Sequence, residues 1–254
     1  MILSKSKLNL FSRLGSRKQR EKLRLFVAEG DKCVADTLGH FTPEAIIASE
    51  AWAEKHSEHS VIPLTIAGEE ELRRISQLQT LPEVIAVYKM PDPMIADEKL
   101  ISESLTLLLD AVQDPGNLGT ILRTASWFGI KQVVLGEGCA DPYNPKAVQA
   151  SMGAIGMIRI IQDNLATLID QHQDIPVYGT LLDGTDIYST SLEFPAFVVM
   201  GNEGNGLSDE IRKRVSNPLL IPSMASGPHA ESLNVAAATA VTLSEFGRRN
   251  LLND

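Results

Sequence analysis

The chain has 254 residues, 44% of them hydrophobic and 22% charged, and a formal net charge of −9 at pH 7. That length holds one large domain or two ordinary ones with a proper core, and no apolar run approaches the ~20 residues of a membrane helix. Two cysteines, Cys33 and Cys139, cannot build a disulfide framework, and no secretory apolar stretch is present; both point to a reducing, cytoplasmic setting.

The acidic total hides an uneven distribution. Residues 1–24 contain eight Lys/Arg (Lys5, Lys7, Arg13, Arg17, Lys18, Arg20, Lys22, Arg24) against the single Glu21, so the remainder is strongly acidic. A local basic cluster on an acidic body can steer phosphate while the rest stays soluble. The first twenty residues also have the Lys, Arg and Ser content, without acid, of a transit peptide. The pattern runs unbroken into the strand-like LRLFVAEG, however, so it reads as the first helix and strand of a domain.

In chain order, a basic helix is expected over about 4–23, then a strand at 25–29 and a helix at 31–38, with Gly39 as its C-terminal stop. A strand at 43–48, a helix at 49–56, a strand at 61–66, a helix at 69–78 and a strand at 84–88 follow. This alternation implies a small α/β unit. The segment 90–103, with two prolines and several charges, reads as the linker.

After it, strands are expected at 105–112, 132–135, 177–180, 197–200 and 219–221. Helices fit 118–128, 145–150, 164–171, 209–215 and 231–249. Continuous apolar strands alternating with helices argue for a parallel sheet covered on both faces. Ligands of such sheets bind beyond the carboxyl ends of the strands.

Three segments end strands there: DPGNLGTILRTASWFGI (114–130), FVVMGNEGNGLSDEI (197–211) and LLIPSMASGPHAESLNVAAA (219–238). In the first, Leu118, Ile121, Leu122, Ala125 and Phe128 form an apolar stripe, and Arg123 projects about 160° away from it at ~100° per residue. Asn117 stands where a plain N-cap would. In the second, Gly201, Gly204 and Gly206 let backbone approach a ligand. Ser208 caps the following helix, which leaves Asn202 and Glu203 unexplained. In the third, Ser232 and Asn234 open an Ala-rich helix ending in Arg248 and Arg249.

Together these segments resemble the three signature motifs of the SpoU/TrmH family of RNA ribose 2′-O-methyltransferases. NPKAVQASMGA (144–154) is similar to the family's segment between the first two motifs, with Gln149 near a position where the family often has Arg. FVAEGDKCVADTL resembles the family's small substrate-binding domain.

The resemblance implies an RNA-binding domain over 1–92 and a catalytic parallel-sheet α/β domain with a trefoil knot over 104–254. It implies transfer of the S-adenosylmethionine methyl group to a ribose 2′-OH in structured RNA, by a cytoplasmic homodimer without metal or membrane. Ribosomal RNA is favoured over transfer RNA on family grounds. The implied catalytic residues are Arg123, Asn117, Glu203, Ser232 and Asn234. Met200, Gly201, Asn202, Gly204, Ile221, Ser223 and Leu233 are the implied cofactor residues. Lys5, Lys7, Arg13, Arg17, Lys18 and Arg20 are read as RNA contacts. Arg123 is usually assigned to activating the hydroxyl, but a guanidinium scarcely deprotonates, so it is read as a donor to phosphate and developing alkoxide. The final proton acceptor stays open, as does any contact of His229 with substrate.

Rival readings are a non-catalytic RNA-binding or assembly factor on the same fold, and a related enzyme that methylates a base. VVLGEGCAD lacks the third glycine of a dinucleotide loop, GNEGNGL has Leu207 where a phosphate loop needs Lys, and His56 with His59 is a weak metal spacing.

Overall fold

The structure, a computed structural model, describes residues 3–56, 64–227 and 230–251. It divides into two compact units: Met1–Asp92 with Asp141–Gly156, and Pro93–Ala140 with Met157–Asp254. Residues 141–156 lie within the run read from sequence as catalytic domain, yet they pack into the first unit.

In the first unit the expected single basic helix is two: α1 (Lys5–Phe11) and α2 (Arg17–Leu23). The break at Ser12–Ser16 has a local cause. Ser12 Oγ donates to Asn9 O, and Ser16 is extended, so serine and glycine backbone preferences outcompete helix. The break lets Phe11 and Leu14 enter the core and turns Arg20 inward.

The sheet has the order β1-β4-β2-β3, from β1 (Leu25–Glu29), β2 (Pro43–Ala48), β3 (Leu64–Ile66) and β4 (Val84–Lys89). Only the β2–β3 pairing is parallel. The expected strand at 61–66 is described from Leu64 onward, and residues 61–63 lie outside the described residues.

Period-two alternation sorts the side chains. Leu25, Val27, Ala45, Ile47, Ile85 and Val87 share a core with Leu8 and Phe11 of α1 and with Leu72 and Ile75 of α5 (Glu69–Ile75). On the opposite parity, Phe26 packs against Phe41, Tyr88 and Tyr143, with ring centroids 4.9–5.5 Å apart. Helix α3 (Asp31–Thr37) adds Thr37, whose hydroxyl lies 3.0 Å from the Tyr88 hydroxyl. Helix α4 (Glu50–Lys55) buries Trp52.

Tyr143 belongs to the segment from the other half of the sequence, and an ion pair fastens that segment too. Arg20, 1% exposed, donates from Nε (3.0 Å) and Nη2 (2.5 Å) to Asp141 Oδ2, and from Nη1 to Leu14 O and Gly15 O at 2.8 Å. The helix break thus creates the two carbonyl acceptors that Arg20 uses beside Asp141. Helix α8 (Pro145–Ser151) then lies against β1.

The second unit carries a six-stranded sheet, order β10-β8-β9-β5-β6-β7, parallel throughout. Its strands are β5 (Leu105–Leu109), β6 (Gln132–Leu135), β7 (Arg159–Gln162), β8 (Val177–Asp186), β9 (Ala196–Met200) and β10 (Asn217–Leu220). Helix α6 (Glu98–Glu103) occupies what reads in sequence as linker: Asp97 caps it and Ile101 is buried. On one face, α6, α9 (Leu165–Gln171) and α10 (Asp209–Arg212) bury Leu108, Val134, Ile161, Phe197 and Val199. Helices α7 (Pro115–Trp127) and α11 (Val235–Leu251) pack together, and Phe246 of α11 meets Tyr178 edge-on. Where β10 crosses the irregular part of β8, a Cβ on Gly184 would sit 2.5 Å from the Leu219 carbonyl carbon, so this crossing requires glycine.

Two predictions follow from these contacts. Removing one member of a buried ion pair strands the other, at a cost of about 3–5 kcal/mol, whereas an apolar pair is nearly neutral. Asp141→Leu should therefore shift the urea transition reported by buried Trp52 fluorescence strongly downward, and Arg20→Met with Asp141→Leu should recover most of the loss. The second concerns Glu245, which is 5% exposed and receives Arg248 and Arg249; their hydrogen bonds, Arg248's first, lower its pKa from 4.5 to about 2. A depressed carboxylate contributes stability above its unfolded pKa and loses it as pH falls through the folded one. The melting-temperature gap between the native chain and Glu245→Gln should be widest above about pH 5 and close toward pH 2.

Candidate active site

Because the sheet is parallel, the segments leaving β5, β9 and β10 all emerge at its carboxyl edge. Buried polar links hold them in place. Asp110, just past β5, donates its amide to Met200 O and accepts the Ser208 amide at Oδ2, 2.6 Å away. Asn202 donates to Ala111 O at 2.8 Å and accepts the amides of Gly204 and Asn205 at Oδ1. Ala111 is left-handed (φ 55°), a conformation costing an L-residue roughly 1–2 kcal/mol, and the Asn202 bond to its carbonyl helps to hold it there. The turn after β9 closes through reciprocal Asn202–Gly206 backbone bonds. A Cβ on Gly201 would lie 2.4 Å from the Gly206 carbonyl carbon, so the turn needs glycine there.

On this frame the three segments meet. Asn117 Nδ2 donates to Glu203 Oε1 at 2.9 Å, and Asn234 Nδ2 donates to Asn117 Oδ1 at 3.1 Å. The Gln113 amide also points to Glu203 Oε2 at 3.5 Å. A carboxylate only accepts, so Asn117 must offer it the amide NH₂, which leaves its carbonyl for Asn234. The polarity of the whole chain follows from that one group.

Asn117 is not the cap of α7. Asp114 fills that role, accepting the Asn117 amide at 2.8 Å ahead of Pro115. An Asp–Pro pair at a helix start carries this signal in sequence; Asp110 carried none. Asn234 is a cap: its Oδ1 accepts the amides of Ala236 and Ala237, and α11 begins at Val235 rather than at the expected 231. Glu231, Ser232 and Leu233 are left outside the helix and exposed, Leu233 by 53% although apolar.

Arg123 is not joined to this network. It is exposed on α7, with Leu118, Ile121, Leu122 and Ala125 buried opposite, and it has no hydrogen-bond or ion partner among the described residues. It lies six positions on from Asn117, about 9 Å along a helix axis. Of the remaining expected residues, Met200 and Gly201 are buried at the end of β9. Asn202 and Ile221 are half-buried, while Gly204 and Ser223 are exposed. His229 and His59 lie outside the described residues.

One expected RNA contact is corrected. Arg20 is buried, ion-paired with Asp141 and hydrogen-bonded to Leu14 O and Gly15 O, so it is turned away from solvent. Arg17 is exposed but paired with Glu21 at 2.7 Å. Lys5, Lys7, Arg13 and Lys18 are exposed.

Comparison with known proteins matches this arrangement to a family. Residues 104–244 match the SpoU rRNA Methylase family, and residues 5–86 match the MRM3-like substrate binding domain. The 23S rRNA (guanosine(2553)-2′-O)-methyltransferase RlmP of Bacillus subtilis is 32% identical over 236 residues, covering 91% of this chain and 92% of that one. The structure of a TrmH-family protein from Porphyromonas gingivalis is 39% identical with TM-score 0.86, covering 98% of this chain and 100% of that one. An AdoMet-bound rRNA methyltransferase from Sinorhizobium meliloti is 28% identical with TM-score 0.82, covering 98% and 97%. With more than half its length matched and these relatives aligned nearly end to end, the chain belongs to the SpoU rRNA methylase family.

Proposed function

We propose that the chain transfers the methyl group of S-adenosylmethionine to a ribose 2′-OH of ribosomal RNA. The observation that carries this is the Glu203–Asn117–Asn234 hydrogen-bond chain, which draws three distant segments to one sheet edge, with Arg123, a cation without a partner among the described residues, on the same helix as Asn117. The 2′-O-methyltransferase relative and the AdoMet-bound neighbour support the reaction and the cofactor.

The residues at the edge suit such a cofactor. The glycine-tight turn after β9 brings backbone close to Met200, Gly201, Asn202 and Gly204, while exposed Leu233, with Ile221 and Ser223, offers apolar and hydroxyl surface for an adenosine. Bound there, the cofactor supplies a sulfonium methyl, already a good electrophile, so the protein's task is to position and activate a weakly acidic hydroxyl. Arg123, always protonated, would donate to the adjacent phosphate and the oxygen gaining charge. Asn117, Glu203, Ser232 and Asn234 would orient the ribose and the amino-acid end of the cofactor. In the first unit, Lys5, Lys7, Arg13 and Lys18, helped by Arg17, would hold the RNA backbone.

The same reading includes a homodimer and a cytoplasmic location. Trp127 is 86% exposed at the end of α7, and the packed helix α11 leaves Ala237 and Ser244 open, a small-residue face suited to a second helix. The cysteines are unpaired, and among the described residues no helix is long and apolar enough to cross a membrane.

Incubation with labelled S-adenosylmethionine and ribosomal RNA, then nuclease digestion and mass spectrometry, should yield a 2′-O-methyl nucleoside. Arg123→Ala should lower transfer at least about 100-fold with cofactor affinity retained; full activity in that variant would remove the assignment. In sedimentation equilibrium the native chain should run as a dimer and Trp127→Glu should shift it toward monomer, whereas a native monomer would refute the dimer.

A further inference from the structure

The basic cluster of the first unit is not uniform. Arg17 is paired with Glu21 on the surface, Arg20 is buried against Asp141, and Arg24 reaches Asp92. Lys5, Lys7, Arg13, Lys18 and Lys22 are exposed without an ion partner among the described residues. Two of these five, Arg13 and Lys22, rim a groove of about 220 Å³ between α1 and α2.

The other lining residues are of a different kind. Asn9, Gln19 and Ser6 supply amide and hydroxyl groups, and half-buried Leu10 and Leu23 supply apolar surface. Arg74 Nη2 donates to Asn9 Oδ1 at 3.0 Å, which turns the Asn9 NH₂ free to donate. Cations alone would serve any polyanion. Cations beside amides and half-buried leucines match one component in particular: phosphate to Arg13 and Lys22, base edge to the amides, and the apolar base face against the leucines. The volume is on the order of one nucleobase with its sugar.

We infer that the α1–α2 groove is a subsite for a single unpaired nucleotide of the RNA substrate. This rests on the reading of the chain as an RNA methyltransferase and adds a preference to it. The first unit selects an RNA in which a loop or bulge base is available, and the other unpaired cations act as diffuse attraction. Lys22, Gln19 and Asn9 thereby join the RNA-contacting set, and Arg13 moves from general attraction to a defined contact.

The test uses the full chain, a fluorescein-labelled oligouridine dodecamer and a blunt RNA duplex of the same length. Two double variants remove the same charge: Arg13→Ala with Lys22→Ala in the groove, and Lys7→Ala with Lys18→Ala outside it. All four side chains are exposed, so the melting of both variants should match the native chain. The native chain should prefer the unpaired RNA by about fivefold. The groove variant should lose about tenfold on oligouridine but only about threefold on duplex, and its log–log salt slope on oligouridine should fall by about 1.4. The outside variant should weaken both RNAs by one common factor. Equal losses from the two variants on both RNAs, or no native preference for unpaired RNA, would overturn the subsite. A native chain that labels RNA with methyl but shows either result loses only the groove, whereas one that neither binds nor labels RNA loses the underlying reading as well.

Discussion

A carboxylate that can only accept hydrogen bonds sets the direction of everything around it. Glu203 compels Asn117 to present its NH₂, and Asn117 then has only its carbonyl left for Asn234. Each bond is worth on the order of 1 kcal/mol, too little to hold the fold but enough to select one arrangement of three loops. What makes that selection possible is beneath it: parallel strands deliver the loops to one edge, Asp110 ties the β5 and β9 ends together, and Gly201 allows a turn no side chain would permit. The polar chain is the visible part of a site whose geometry is set by backbone.

The first unit obeys a related rule on a larger scale. Arg20 and Asp141 are 121 residues apart in sequence yet share one buried contact, and Tyr143 follows Asp141 into the aromatic cluster around Phe26. Burying a guanidinium is tolerable only when every donor direction finds an acceptor. The turn between α1 and α2 supplies the carbonyls that Asp141 cannot. The same turn opens the groove beside it, so the break in the basic helix has both a structural and a chemical consequence.

How much of this could be read beforehand differs from element to element. Buried parallel strands such as FVVM and QVVL announced themselves as short continuous apolar runs, and Arg123 was correctly placed away from the α7 stripe because helical periodicity is local. The three motifs were visible as residues, and the strand pattern placed them at one edge. Which of them touch was not visible, because the Asn117–Glu203 and Asn234–Asn117 bonds depend on strand order. One misreading has a physical origin: Arg20 looks like its basic neighbours because its partner Asp141, in a distant segment, leaves no local trace. The packing of residues 141–156 into the first unit is equally silent in sequence, although they fall inside the run that matches the methylase family. Helix α6 and strand β7 leave weaker signals: six residues are too few to show a helical period, and β7 (RIIQ) has only two apolar residues between Arg159 and Gln162.

The most direct test of a single, coupled methyl-transfer centre is a double-mutant cycle on methyl transfer for Asn117→Ala and Asn234→Ala. If the two amides act as one unit with Glu203, each single variant should lose most of the rate, and the double variant should be little worse than either. Losses that multiply, or single variants that transfer methyl as the native chain does, would contradict the account.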